Sequence, residues 1–351
     1  MKKFILFILV LVLLTGCHKE EKVIDLSFDD DYYTIATPYK EGVGNNYIRS
    51  SVITTYDYSQ VESDLMDLST KYFDSSKYRF QAGQYLTEKK LISLLSDKKL
   101  NKTSEIKIDG ITLKPNYISG IHEQNFLDKK NNLKGVSIAL VLNPYQEYKN
   151  ENGSYLYKEI DKKVLIQYGK DKSKDLLKEL RKIKDYQNIS IMMALYVVGD
   201  PSENVNGNFE YIGKTNNDSI EYEEINYEYH YLTSNYVLEH DLNSYKAFDS
   251  LNKMMSKKLD NVYITAKGLY VNNSLNKLDI EINSNLMNKD KMLMVSQMFA
   301  DQIVSSFDES LLIRVYFKIG NETKVLIVKK RNSIETNIYL LNNWFSNYFI
   351  V

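Results

Sequence analysis

With one cysteine, four prolines and a single tryptophan in 351 residues, this chain has few of the devices that stiffen small secreted proteins. A lone thiol cannot form an internal disulfide, so packing and hydrogen bonds alone must hold the fold. The scarcity of proline excludes collagen-like and proline-rich architectures. Neither sign of charge is in excess: 45 Lys and Arg stand against 46 Asp and Glu. Nucleic-acid binding draws on clustered basic residues that displace counterions, so no nucleic-acid partner is expected. Long apolar runs are also missing outside the N-terminus, which excludes a multi-span membrane protein.

Signatures of catalysis are equally scarce. The sequence contains no G-x-S-x-G elbow, no H-E-x-x-H and no P-loop. Gly42 and Gly44 begin a G-x-G, but Tyr47 stands where the third glycine of a dinucleotide fingerprint would be, and a tight turn is the better reading. Of four histidines, His122 beside Glu123 and His240 between Glu239 and Asp241 are the acid-imidazole neighbours. Sequence neighbours point different ways on a helix or a strand, so neither group is expected to act in catalysis or to bind a metal. No catalytic residue, metal ligand or cofactor is therefore assigned, and the chain is read as a non-enzyme.

What is present begins with an address. Lys2 and Lys3 precede an unbroken apolar run from Phe4 to Leu14, and Leu14, Thr15 and Gly16 lead into Cys17. That run is about half of the roughly 20 residues a spanning helix needs. A basic start, a short apolar stretch and small residues before a cut site form the pattern of a signal peptide, cleaved here between Gly16 and Cys17. An aliphatic residue, two small residues and a cysteine form a lipobox, which makes Cys17 the lipid attachment site and the new N-terminus. A single acyl chain holds a protein marginally and two hold it stably, so a diacylglyceryl cysteine anchors the chain without a transmembrane helix. The expected partners are the membrane, through that lipid, and the lipoprotein-processing enzymes. The expected location is the outer face of the cell membrane. Glu20, Glu21, Asp25 and Asp29 to Asp31 follow, so residues 17–45 read as an acidic, solvated tether.

The body carries both helical and strand patterns, which predicts an α+β fold of mixed sheets with packed helices. Ser59 to Glu62 reads as a capping box ahead of Val61, Leu65, Leu68 and Tyr72 on one helical face. Thr87, the region near Ser173, Ser244 and about Lys289 begin further helices, the last carrying Met292, Val295, Phe299 and Ile303. Val136 to Leu142 and Ile189 to Val198 suit central strands, whereas Leu278, Ile280 and Ile282 alternate with polar residues as in a half-exposed strand. Leu311 to Ile319, a Gly320-Asn321 turn and Lys324 to Lys329 form a hairpin signal.

A repeat emerges when Val136–Leu142 and Val164–Tyr168 are read as strands before the helix near Leu176 and the strand near Ile191. Strands at Val262 and Leu278 precede the long helix and the strand at Leu311 in the same order. Two similar halves, 46–200 and 201–351, are expected to meet in the Gly- and Asn-rich stretch from Gly199 to Asn217. Tyr227, Tyr229 and Tyr231 alternate and could line one strand face as a platform for sugar rings or a peptide; burial or an edge position is the competing reading. Leu340, Leu341, Trp344, Phe345 and Tyr348 keep helical spacing and are expected to dock on the body.

Several local words carry a resemblance. Lys71-Tyr72-Phe73, then Lys77, Tyr78, Phe80, Gln81, Gly83, Gln84, Tyr85 and Leu86, resemble the "KYF...KY.FQ.GQYL" segment of the CamS-family sex-pheromone lipoproteins of Gram-positive bacteria. Ile121 to Phe126 is similar to that family's "I.EQ" segment, Gly135 to Asn143 to its "GVSI.L.LN" strand, and Gly207 to Phe209 to its "GNF". The resemblance implies a precursor that releases a short hydrophobic peptide from the end of its signal sequence, recognised by a pheromone receptor. By position, that extracellular peptide would come from Leu9, Val10, Leu11, Val12, Leu13, Leu14, Thr15 and Gly16. It implies no reaction for the folded body. A cell-envelope module that binds a glycan or a peptide is the alternative expectation, and an envelope hydrolase with dispersed carboxylates a third.

Overall fold

In a computed structural model, the described residues are 32–44, 47–48, 56–200, 207–217, 219–259, 261–284 and 288–341. The signal segment with Leu9 to Gly16, Cys17, and Trp344, Phe345 and Tyr348 lie outside them. The chain forms two mixed sheets with helices packed on them, an α+β architecture as expected.

The first sheet has seven strands in the order β1 (Thr34–Ile35), β2 (Arg79–Ala82), β5 (Ile118–Leu127), β6 (Leu133–Leu142), β9 (Ser190–Val197), β10 (Asn208–Asn216) and β11 (Ser219–Glu224). Helix α1 (Tyr58–Ser69) covers one face, where Val61 and Leu65 are fully buried with Phe126, Val141, Met192 and Tyr196. Helices α2 (Glu88–Leu95) and α3 (Lys162–Arg181) cover the other through Leu91, Leu94, Leu165, Leu176 and Leu180. Hairpins β3 (Ile106–Ile108) to β4 (Ile111–Leu113) and β7 (Tyr145–Lys149) to β8 (Tyr155–Glu159) stand off this sheet.

The second sheet has six strands in the order β12 (Tyr227–Tyr231), β13 (Val262–Val271), β14 (Ser274–Ser284), β15 (Leu312–Ile319), β16 (Glu322–Lys329) and β17 (Thr336–Leu340). After the short helix α4 (Asn235–His240), helices α5 (Leu242–Ser256) and α6 (Lys289–Ser306) pack on one face of it. Leu278, Ile280 and Ile282 are buried as their alternation predicts, and Met292, Val295, Phe299 and Ile303 meet them from α6. Asn272 and Asn273, both at positive φ, turn β13 into β14, and Gly320 at φ 57 turns β15 into β16. Asparagine and glycine tolerate the left-handed region at low cost.

Topologically the halves repeat. The pairs β2/β5 and β5/β6 are antiparallel, β6/β9 is parallel across α3, and β9/β10 and β10/β11 are antiparallel. The pairs β12/β13, β13/β14, β14/β15, β15/β16 and β16/β17 follow the same sequence of directions, with the parallel step across α6.

Several sequence expectations are corrected in detail. Val164–Tyr168 is not a strand: Asp161 caps the helix that contains it, accepting from the backbone N–H groups of Lys163 and Val164, and the partner strand of β6 is β5. That helix begins well before Ser173. Asp57, not Ser59, caps α1 through a bond from the Gln60 N–H, and Asp241 rather than Ser244 caps α5. The switch between sheets falls at 225–226, not at 200/201, because β10 and β11 complete the first sheet. Residues 32–44 are not tether: Tyr33 and Ala36 are 2% exposed and β1 pairs with β2 in parallel. Leu340 ends a strand, not a helix, and is exposed together with Leu341.

Candidate functional site

The halves meet where α1 faces the β12 and β13 side of the second sheet. The amphipathic spacing that buries Val61 and Leu65 against the first sheet puts Asp64 and Leu68 toward the second half. Leu68 packs with Tyr227, Tyr229 and Leu269. Two of the three predicted platform rings are thus spent in the junction, with Tyr227 5% and Tyr229 9% exposed, and only Tyr231 is open. An alternating strand offers a binding face only where nothing covers it; here the first half covers it.

Asp64 is 1% exposed and accepts a hydrogen bond from the Tyr229 hydroxyl at 2.6 Å, while its Oδ2 has no hydrogen-bond partner among the described residues. Burial raises its carboxyl to about 7, against the opposing effect of the Tyr229 bond. Lys267 sits 4.7 Å above the Tyr229 ring and 3.5 Å from Gln60 Oε1, and burial holds its ammonium below the usual lysine value.

Beside this contact lies a pocket of about 260 Å³ between α1 and the end of the second sheet. Leu68, Leu269, Val271 and Leu312 wall it, and Tyr32 and Tyr227 add rings. Lys277, Arg331 and Asp67 supply charge. Asn276 fixes the Arg331 guanidinium through its backbone oxygen at 2.8 Å and its Oδ1 at 2.7 Å. Lys277 is 7% exposed, and its ammonium lies 3.9 Å from Asp279 Oδ2. Asp279 also faces Arg314, Nε to Oδ1 at 3.3 Å, so one negative charge serves two cations. Sequence reading missed Asp64 and Lys277. A lone Asp on a helix and a Lys alternating with apolar strand residues look like solvated positions until the fold covers them.

The acid-imidazole neighbours are separated, as alternation requires. His122, fully buried, bonds Glu62 Oε1 at 2.6 Å and the Tyr56 hydroxyl at 2.8 Å, on the α1 side of β5. Glu123 points the opposite way and accepts from the N–H groups of Gln84, Tyr85 and Leu86, from Asn125 and from the Tyr186 hydroxyl. Both constellations tie remote segments to β5. Neither ring nitrogen of His122 is left for a substrate. His240 bonds the Tyr236 carbonyl and Asp241 accepts from the Tyr270 hydroxyl, so these two serve a helix junction. Among the described residues no group of three or more His, Cys, Asp or Glu is placed to hold a metal ion, and no helix is long and apolar enough to cross a membrane.

Comparison with known proteins places the fold. The family model for CamS, the sex pheromone cAM373 precursor, matches residues 39–335. The C-terminal domain of the sex pheromone staph-cAM373 precursor from Staphylococcus aureus superposes with TM-score 0.73 at 23% identity, covering 82% of this chain and 97% of that chain. A sex pheromone precursor from Lactobacillus salivarius subsp. salivarius UCC118 superposes with TM-score 0.80 at 20% identity, covering 91% of this chain and 98% of that one. No curated protein matches the chain.

Proposed function

The chain belongs to the CamS sex pheromone cAM373 precursor family, and from that premise we propose that it is a lipid-anchored surface precursor with two products. One product is a short apolar peptide from Leu9 to Gly16, released when the signal peptide is cut before Cys17 and then trimmed. The other is the folded body, held at the outer face of the membrane by a diacylglyceryl group on Cys17 and acting without catalysis. The observation that carries the reading is the position of the sole cysteine, directly after Leu14-Thr15-Gly16 and an apolar run too short to span a bilayer. A fragment of that size is held in a membrane only by its transfer energy, so it can leave, and its uncharged side chains let it enter a receptor's apolar pocket. The buried and fully engaged His122 supports a non-enzymatic body.

Mass spectrometry of the culture medium tests the release. A fragment ending at or just before Gly16 is the expected result, and its absence from cells that process the lipoprotein normally would overturn peptide release. A second reading, a cell-envelope binding module, is favoured by one observation only: the pocket at the junction with Lys277 in its lining.

A further inference from the structure

We propose that the junction pocket binds the C-terminal carboxylate of a short apolar peptide, with the Lys277 ammonium receiving the carboxylate beside the positive charge of Arg331 and the leucine and valine wall receiving the side chains before it. The argument begins with charge. Lys277 is carried into the junction by β14, where it is 7% exposed, and it shares the single charge of Asp279 with Arg314. Asp279, 3.9 Å from this buried ammonium, is shared with Arg314, and Asp67 lines the same pocket, so a ligand carboxylate would add a close partner for Lys277 and not its first counter-charge. Arg331 donates from both terminal nitrogens to Asn276 and from Nη1 also to the Ser310 carbonyl, so its guanidinium is fixed at the pocket and adds positive charge beside Lys277.

The remainder of the lining narrows the class. Asp67 in the same pocket disfavours dianions such as phosphate and leaves a monoanion as the better fit. Leu68, Leu269, Val271 and Leu312 would remain wetted around a bare acetate-sized anion, whereas an apolar chain behind the carboxylate buries them. At about 260 Å³ the cavity is smaller than the roughly 300–1,000 Å³ of sites that enclose a drug-sized molecule, so it accommodates a terminus and not a whole ligand. The chain itself supplies such a terminus: cleavage before Cys17 creates a free carboxylate on Gly16, behind Leu13, Leu14 and Thr15. Naming that peptide as the occupant rests on the release proposed above; the carboxylate chemistry of the pocket does not.

The test titrates the detergent-extracted, lipid-anchored chain with the synthetic tetrapeptide Leu-Leu-Thr-Gly and with its C-terminal amide, read by calorimetry. The acid is expected to bind at least about ten-fold more tightly than the amide, the size of a charge-assisted contact. Lys277→Met should weaken the acid by a similar factor and leave the amide unchanged. Should Lys277→Met fold poorly, Leu312→Trp, which fills the apolar wall, gives an independent arm and should weaken both peptides. Equal binding of acid and amide, no binding of either, or displacement of the tetrapeptide by acetate at equal concentration would overturn the proposal. Binding without any released fragment in the medium would remove the release reading and keep the pocket, and a released fragment without binding would do the reverse.

Discussion

The Tyr229 hydroxyl donates to Asp64 Oδ1 at 2.6 Å across 165 residues of chain, tying the second sheet to the helix that roofs the first. Its acceptor is a carboxyl that burial has raised to about 7. In the unfolded chain an aspartate titrates near 3.9. Between those two values the folded protein holds a proton that the unfolded chain has released, so Asp64 makes stability fall as pH rises through that window. Above about pH 7 a carboxylate is buried with one oxygen unpaired.

Asp64→Asn keeps an acceptor for Tyr229 and removes the titration. The variant is expected to be more stable than the parent at pH 8, by up to about 4 kcal/mol from the size of the shift. That difference should shrink as pH falls toward 5. Urea unfolding at the two pH values measures it, and a difference independent of pH would show that Asp64 does not titrate in this range.

Gly135 on β6 faces the ring of Phe73, which is 3% exposed and stacked on Phe126 with centroids 4.6 Å apart. A Cβ at this position would overlap the Phe73 ring, which is itself buried against the fully buried Phe126. Gly135→Ala should therefore cost about 1–3 kcal/mol, the usual penalty for overpacking. Gly110→Ala makes a useful contrast: a Cβ there meets nothing, and its cost comes only from φ +81. Thermal unfolding of the two variants separates packing from backbone strain.

Glu123 gathers three consecutive backbone N–H groups of the 84–86 segment on one carboxylate, with the Tyr186 hydroxyl and Asn125. Glu123→Ala would take the acceptor from the Tyr85 and Leu86 N–H groups and from the buried Tyr186 hydroxyl, while Gln84 N–H keeps its bond to Asn125, and a loss of about 3–5 kcal/mol is expected. Amide exchange should rise at Tyr85 and Leu86 more than at Ile280 in the second sheet. A uniform rise across both sheets would mean that the residue supports global stability and does not hold this segment in particular.

These polar clasps also explain which parts of the fold were legible. The second sheet could be read almost directly, because Leu278, Ile280 and Ile282 alternate with polar residues on a sheet covered by helices on one face. Strand β5 could not, since His122, Glu123, Gln124 and Asn125 are all buried and find partners as distant as Glu62 and Tyr186. Without β5 the first half lacked a strand, and Val164–Tyr168, a short apolar run of ambiguous period, filled its place in the repeat. Asp161 was the signal that would have prevented this, as a helix cap just ahead of that run. Around 207–217 the Gly and Asn content marked a loop, yet pairing with β9 and β11 makes β10 a central strand. At the junction, Asp64 and Tyr229 are each ordinary in their local windows; only the docking of two halves makes them a pair.

The anchor makes the last prediction. Cys17 is the chain's one thiol and follows Gly16 directly, so a lipid attached through sulfur has a single possible address. Cys17→Ser removes the nucleophile that the proposed anchor requires for the diacylglyceryl group while leaving the apolar run intact. Labelling with a radioactive or clickable fatty acid is expected to disappear, and the protein should leave the membrane fraction or accumulate as uncleaved precursor. Two chains hold a protein stably and an uncleaved run from Phe4 to Leu14 is too short to span, so any retained precursor should be extractable at high pH, unlike the lipidated parent. Unchanged labelling and unchanged retention in the variant would end the lipid-anchor reading, and with it the cleavage site that defines the released peptide.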